Sequence, residues 1–335
     1  MTKNAVAILK SELYSVIETP TDLYAVYSSC NSRQRGKAGR KKGAITSTSK
    51  RTDNIRNLKK TFKRNRDLIN CNFNGGSGNV LFITLTYADR KVKGKEGAKR
   101  VNHDVDLFIH NLKYATYNGN LKRATRYLKW SVTLEPQADG VWHLHCLFCW
   151  TDREKIYIPN HSLNNMWGQG FVKVNSVDNI SNVGAYLTAY LTNVVIDPEK
   201  ATKNSHWTRN HEHMIEKGGR LSMYPAGVKL CRHSRNLIKP AKYCADGDEL
   251  KKNLILEGWH LNGSKNVKID TKTIRKNPVT GKKESLIIEI KQFYFIRSRD
   301  VAEKFRLIRK IAKKSGKSVA EVLATAGLSS ISEII

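Results

Sequence analysis

The chain has 335 residues, enough to bury a sizeable core and, by length alone, to make about two domains. Its 59 Lys+Arg against 29 Asp+Glu leave a formal charge of +30, an excess that points to polyanionic partners, nucleic acid first. An anionic membrane is set aside, because no apolar run reaches spanning length and neither a lipidation motif nor a signal-peptide pattern is seen.

In chain order, residues 1–30 read as weakly structured or helical. Residues 33–66 are strongly basic with one acid, Asp53. The first part reads as a mobile nucleic-acid arm and the part from Asp53 as a helix, with Arg40, Lys41, Lys42, Lys59 and Lys60 as candidate DNA contacts. After the break at Gly75-Gly76-Ser77-Gly78, NVLFITLTY (79–87) is β-branched and alternating, a buried strand. A basic loop over 90–100 leads to a helix from His103 to Tyr117. Strands follow at 128–135 and 141–150, then a short helix at 161–167, a strand at 171–177 and a helix over 179–194. This order predicts an α+β fold, a central mostly antiparallel sheet with flanking helices.

Beyond Asp197 the pattern is less regular. The Lys217–Pro240 segment carries Arg220, Tyr224, Lys229, Arg232 and Arg235, which suit either DNA contact or cover for the sheet. Residues 253–297 suggest β-hairpins turning at Asn262-Gly263 and at NPVTGKK. A basic amphipathic helix over 300–314 and a second short helix end the chain. The expected division is a basic N-terminal arm (1–74), a catalytic domain (75–247), a β-hairpin appendage (248–298) and C-terminal helices (299–335).

The chemistry concentrates in WSVTLEPQADGVWHLHCLFCW, Trp130 to Trp150. It reads as a hairpin with His143 and His145 at i and i+2, hence on one face. If Glu135 pairs with Val141, or with a residue an even step away, it shares that face. Two imidazoles and a carboxylate make a metal site that suits zinc, iron or manganese. Cys146 and Cys149 form a lone CxxC without a second pair and read as core thiols in a reducing cytoplasm. Downstream, NVGAYLTAYLTN places Tyr186 and Tyr190 at i and i+4, on one helix face. A phenol ionises near pH ~10 and attacks poorly unaided. Beside a cation that polarises a phosphodiester it becomes a nucleophile able to conserve the bond energy in a phosphotyrosine.

The set FITLTY, LEP–DG–HLHCLF and AYLTAYLTN resembles the three motifs of rolling-circle replication initiators in the HUH endonuclease superfamily, the two-tyrosine phage and plasmid type. The resemblance implies an RRM/ferredoxin-like nickase domain that cuts single-stranded DNA at an origin, presented as a hairpin or in a supercoiled duplex. Cutting would leave a 5′-phosphotyrosine and a free 3′-hydroxyl, with termination by a second cleavage and strand transfer. It further implies Mn²⁺ or Mg²⁺ held by His143, His145 and Glu135, and Tyr186 and Tyr190 as nucleophiles. A separate host helicase and replication machinery would act as partners in a bacterial cytoplasm. The family often has lysines where Ala189 and Asn193 stand here; Lys173 is a nearby substitute. The competing readings are a conjugative relaxase or single-strand transposase, a non-catalytic nucleic-acid-binding protein, and a zinc hydrolase. Two patterns read as decoys: His211-Glu212-His213 in a polar loop, and the Gly316-Lys317-Ser318 fragment of a phosphate loop, which lacks its first glycine and a preceding strand. No ATPase is expected.

Overall fold

The computed structural model describes residues 9–29, 55–73, 78–175, 177, 183–192, 194–196, 199, 205–207, 214–216, 219–276 and 283–331. Arg40, Lys41, Lys42 and the His211-Glu212-His213 pattern lie outside them. The elements begin with β1 (Leu13–Glu18), β2 (Asp22–Ser28), α1 (Ile55–Asn70), β3 (Val80–Thr86) and α2 (Gly94–Thr116). Next come α3 (Leu121–Tyr127), β4 (Leu128–Pro136), β5 (Trp142–Trp150), α4 (Asn160–Trp167), β6 (Val172–Asn175) and α5 (Val183–Thr192). Three short strands follow, β7 (Val194–Ile196), β8 (Ser205–Trp207) and β9 (Met214–Glu216), then a 3-10 turn, Gly219–Met223. The chain continues through β10 (Cys231–His233), β11 (Ala241–Asp246), α6 (Gly247–Leu256), β12 (His260–Lys276), β13 (Lys283–Ile296), α7 (Arg299–Ser315) and α8 (Val319–Thr325). The fold is α+β and its strand pairs are antiparallel.

Two compact units form, Ile45–Lys239 and the combination of Met1–Ala44 with Pro240–Ile335. In the first, the sheet runs β10-β4-β5-β3-β6. One face is apolar, with Val132, Leu134, Leu144 and Cys146 buried in one core with Val101, Val105, Phe108 and Leu112 of α2. That i, i+4, i+7, i+11 stripe is the helical face read from the sequence. The helix begins a good two turns earlier than expected, since Ala98 and Val101 extend its apolar stripe into the basic stretch read as loop. α3 is a further addition to the expected elements; Asn120 caps it by accepting from Arg123 N.

The second unit holds the sheet β11-β1-β2-β13-β12. Here the reading of residues 1–30 as weakly structured or helical is overturned, because Leu13–Glu18 and Asp22–Ser28 are strands. Tyr14, Val16, Leu23 and Ala25 alternate inward against Phe293 and Phe295 of β13 and Leu250 and Leu254 of α6. Their partners β11 and β13 lie far along the chain, so no local hairpin pattern signals them. Asn262-Gly263 is not a turn: it falls at a register shift inside β12, where a bulge absorbs the extra residue. One long hairpin therefore replaces the several expected. Gly316 ends α7 at φ +69°, and Ser318 opens α8 with a capping box to Glu321, so the Gly-Lys-Ser fragment is a helix connector.

Candidate active site

Strands β4 and β5 pair with Glu135 opposite His143 and Thr133 opposite His145. On β3, Thr86 stands opposite His143 and Thr84 opposite His145, with Lys173 of β6 beyond Thr84. Residues opposite one another across a sheet share a face. Two parallel rows result: Glu135–His143–Thr86, and Thr133–His145–Thr84–Lys173. The even-step register on which Glu135's place depends is the one formed. Cys149 shares the histidine face and Cys146 the other; burial holds both thiols above their usual range, Cys149 at about 11.

Helices cover part of this face. Asn65 Nδ2 of α1 donates to Thr133 Oγ1 at 3.1 Å. Gly184 opens α5 so close to α1 that a Cβ there would lie 2.6 Å from the Arg66 carbonyl oxygen, and its N–H reaches Asn70 Oδ1 at 2.9 Å. A glycine is required for α5 to seat. Tyr186 is partly buried, edge-on to Phe82 at 6.2 Å, and Phe82 lies 5.6 Å from the His145 ring. One aromatic ring thus links Tyr186 to the histidines. Further along α5, the Leu191 carbonyl accepts from the buried Tyr224 hydroxyl at 2.9 Å. The side chain of Tyr190 lies outside the described residues, and its backbone is on the turn between Tyr186 and Leu191.

The centre of the site is a buried polar network. Glu135 and His145 are 4% and 5% exposed, and His145 Nε2 bonds to Glu135 Oε2. A carboxylate only accepts, so that bond assigns the Nε2 proton to His145. Arg220, from the 3-10 turn, donates to Glu135 Oε1 at 2.7 Å and to the Pro136 carbonyl at 2.6 Å. The sequence offers Arg220 for DNA; in the fold it faces the carboxylate. His143 stacks on His145 at 4.8 Å, its Nδ1 stands 3.1 Å from Gln137 Nε2, and its Nε2 is buried without a hydrogen-bond partner. Burial first, then His145, pushes His143 down to about 4 against the opposing pull of Glu135, so it is neutral at pH 7. Neutral imidazole is the form that binds a cation.

Among the described residues no three His, Cys, Asp or Glu side chains stand grouped to hold an ion. The reason is local: Glu135 is shared between the His145 proton and the Arg220 guanidinium. The donor set itself fits a divalent cation, since a neutral imidazole with an orphaned buried nitrogen adjoins a second imidazole and a carboxylate.

Of the other candidate contacts, Lys59 and Lys60 are exposed on α1, and Lys229 is exposed just before β10. Tyr224 is core, and Arg232 is tied to Asn102 and Asp106 of α2, so those two cover the sheet. Sequence reasoning misses Thr84, Thr133, Asn65 and Gln137 as neighbours of the histidines; the Thr84/Thr86 alternation in β3 is the available signal.

Residues 80–194, from the start of β3 to just past α5, match a family model described as a replication-associated protein of the ORF2 kind. The matched stretch contains both rows of the site and the tyrosine helix, and it supports a replication-initiator family and a role in replication initiation. No curated protein and no solved structure matches the chain. No helix among the described residues is long and apolar enough to cross a membrane.

Proposed function

We propose that the 45–239 unit is a site-specific single-strand DNA nickase and strand transferase that starts and ends rolling-circle replication. The observation that carries this is the placement of Glu135, His143 and His145 on one sheet face beside the helix bearing Tyr186 and Tyr190. Glu135, His143 and His145 would hold Mn²⁺ or Mg²⁺, with Mn²⁺ the better match to imidazole. Such an ion would polarise the scissile phosphate and stabilise charge on its oxygens.

The chain's own residues do the remaining work. A tyrosine phenol attacks phosphorus, forming the Oη–P bond as the P–O3′ bond breaks. The phenol loses its proton and the departing 3′ oxygen gains one, so no water is consumed. The bond energy stays in the phosphotyrosine, and attack by a later 3′-hydroxyl reverses the step and joins strands. His143, neutral and buried, needs no deprotonation to bind the ion. Lys173, in line with His145 and Thr84, is a cation suited to the phosphate. Either tyrosine can serve; α5 runs from the Phe82 end toward Tyr224, which brings the backbone of Tyr190 one turn nearer the Tyr224 end.

The test is a covalent adduct. Labelled single-stranded origin DNA, Mn²⁺ and the protein are run on a denaturing gel. An adduct is expected that disappears with EDTA, with His143→Ala, and with Tyr186 and Tyr190 both changed to Phe. An adduct that survives the double Phe change removes the tyrosines from the mechanism. Salt-sensitive binding without any adduct favours a non-catalytic binding protein.

A further inference from the structure

The second unit's sheet has one face in a core and one that exposes apolar side chains. Tyr14, Val16, Leu23, Ala25, Phe293 and Phe295 fill the inner face. The residues between them point the other way, and many are apolar. Tyr294 is 38% exposed, Ile296 42% and Leu13 60%. Across the central strands, Ile17 pairs with Tyr24 and Tyr24 with Tyr294, and Tyr294 with Gly263. The two tyrosine rings lie 4.6 Å apart at 39°, and space is open beside Gly263. Lysines flank this row: Lys242 lies opposite Ile17, and Lys265 stands opposite Gln292, one row over; both are exposed. The carboxylates at the margins are engaged locally, Asp22 with the Thr19 and Thr21 hydroxyls and Asp246 with the first turn of α6.

From these observations we propose that the open face of the β11-β1-β2-β13-β12 sheet binds single-stranded DNA, with bases stacked on Tyr24 and Tyr294 and phosphates paired with Lys242 and Lys265. An open antiparallel sheet with aromatic rings on its central strands is a shape that single strands use, because every base has a π-face and the strand tracks a basic border. The charge of the chain selects this occupant. A face meant for an apolar protein partner would carry fewer lysines at its rim, whereas a phosphodiester needs them. Binding here does not depend on nicking: it is a second contact with the strand, carried by a different unit.

The experiment uses the full chain in EDTA, where no metal-assisted cleavage competes. An oligothymidylate bearing 5-iododeoxyuridine is crosslinked by light, and the joined peptides are identified by mass spectrometry. Crosslinks to Tyr24 or Tyr294 are expected; crosslinks confined to residues 45–239 overturn the proposal. In parallel, anisotropy with the same oligonucleotide compares the wild type with Tyr24→Ser/Tyr294→Ser and Tyr24→Phe/Tyr294→Phe. The Ser pair should lose about tenfold or more in affinity, the size expected for lost base stacking, and the Phe pair should bind nearly as the wild type does. Affinity unchanged in the Ser pair, or an equal loss in the Phe pair, counts against stacking. Sedimentation covers the remaining occupant: a wild-type dimer made monomeric by the Ser pair, with no oligonucleotide crosslinked to this face, makes it a protein interface and sinks the DNA assignment.

Discussion

The chain builds two five-stranded antiparallel sheets and uses them in opposite ways. In the 45–239 unit, the face that departs from an ordinary core buries polar groups: Thr84, Thr133, Glu135 and His145 are each under 10% exposed. In the other unit, the departing face exposes apolar groups, Leu13, Tyr294 and Ile296 among them. Folding favours neither arrangement, since buried polar groups need partners and exposed apolar ones forgo burial. The contrast separates two kinds of work. Chemistry needs groups held out of water in fixed geometry, while a contact surface needs its apolar area left available. Each unit also carries a buried arginine, and these differ in the same sense. Arg297 is 7% exposed, stacks 4.0 Å from Trp259, and reaches both Glu18 and Glu257. Arg220 reaches one carboxylate and one carbonyl, a pairing that a competing cation can replace.

The sharpest way to break this comparison is at Glu135. Glu135→Ala would leave the Arg220 guanidinium and the His145 imidazole without their shared carboxylate. Removing one partner of a buried pair costs about 3–5 kcal/mol. Urea unfolding should show that loss, and adduct formation should fall below detection. Tyr24→Ser/Tyr294→Ser should instead unfold within about 1 kcal/mol of wild type, as exposed positions do. Equal losses at the two sites would mean that both faces are structural.

The comparison is half legible in the sequence. β3, β4, β5 and β6 are readable because each alternates over a short local window and a turn residue ends it. The histidine pair follows from strand period alone. Glu135 is readable only up to an even step, because register is a property of two strands together. Arg220 is not readable at all: nothing local ties a basic residue in a glycine-containing segment to a carboxylate far earlier in the chain, and charge alone suggests DNA. The open aromatic face is hidden for a related reason. Tyr24 and Tyr294 are neighbours only because β2 pairs with β13, and β1 and β2 contribute just two fully buried apolar residues each to the core. Asn262-Gly263 has the composition of a hairpin turn and serves as a bulge, a distinction made by the strand that continues past it.

A smaller effect is expected at Arg220. If its guanidinium competes with an ion for Glu135, Arg220→Gln should tighten Mn²⁺ binding roughly tenfold, equivalent to about 1.4 kcal/mol of competition. Titration of the free Mn²⁺ signal by electron paramagnetic resonance reads this without any DNA present. Weaker binding in the variant would make Arg220 an orienting partner of Glu135 instead, and would bring it closer in role to Arg297.

The smallest effect concerns pH and again distinguishes the two sheets. His233, at the β10 edge of the site-bearing sheet, bonds through Nδ1 with Ser131 at 3.1 Å. Burial, then the neighbouring Lys229 charge, pushes it from 6.5 down to about 4. Between those values the unfolded chain holds a proton that the folded chain lacks. Stability therefore falls as pH drops from about 6.5 toward 4, by up to about 1.4 kcal/mol per pH unit for this one group. His143 adds a slope of the same sign. Urea midpoints measured across this range should decline toward acid, and His233→Asn should make the decline shallower by about one proton's share. Tyr24→Ser, on the other sheet, should leave the slope as it is. A slope unchanged by His233→Asn would show that the imidazole is charged in the folded protein, and with it that this edge of the sheet is open to water in the way the tyrosine face is.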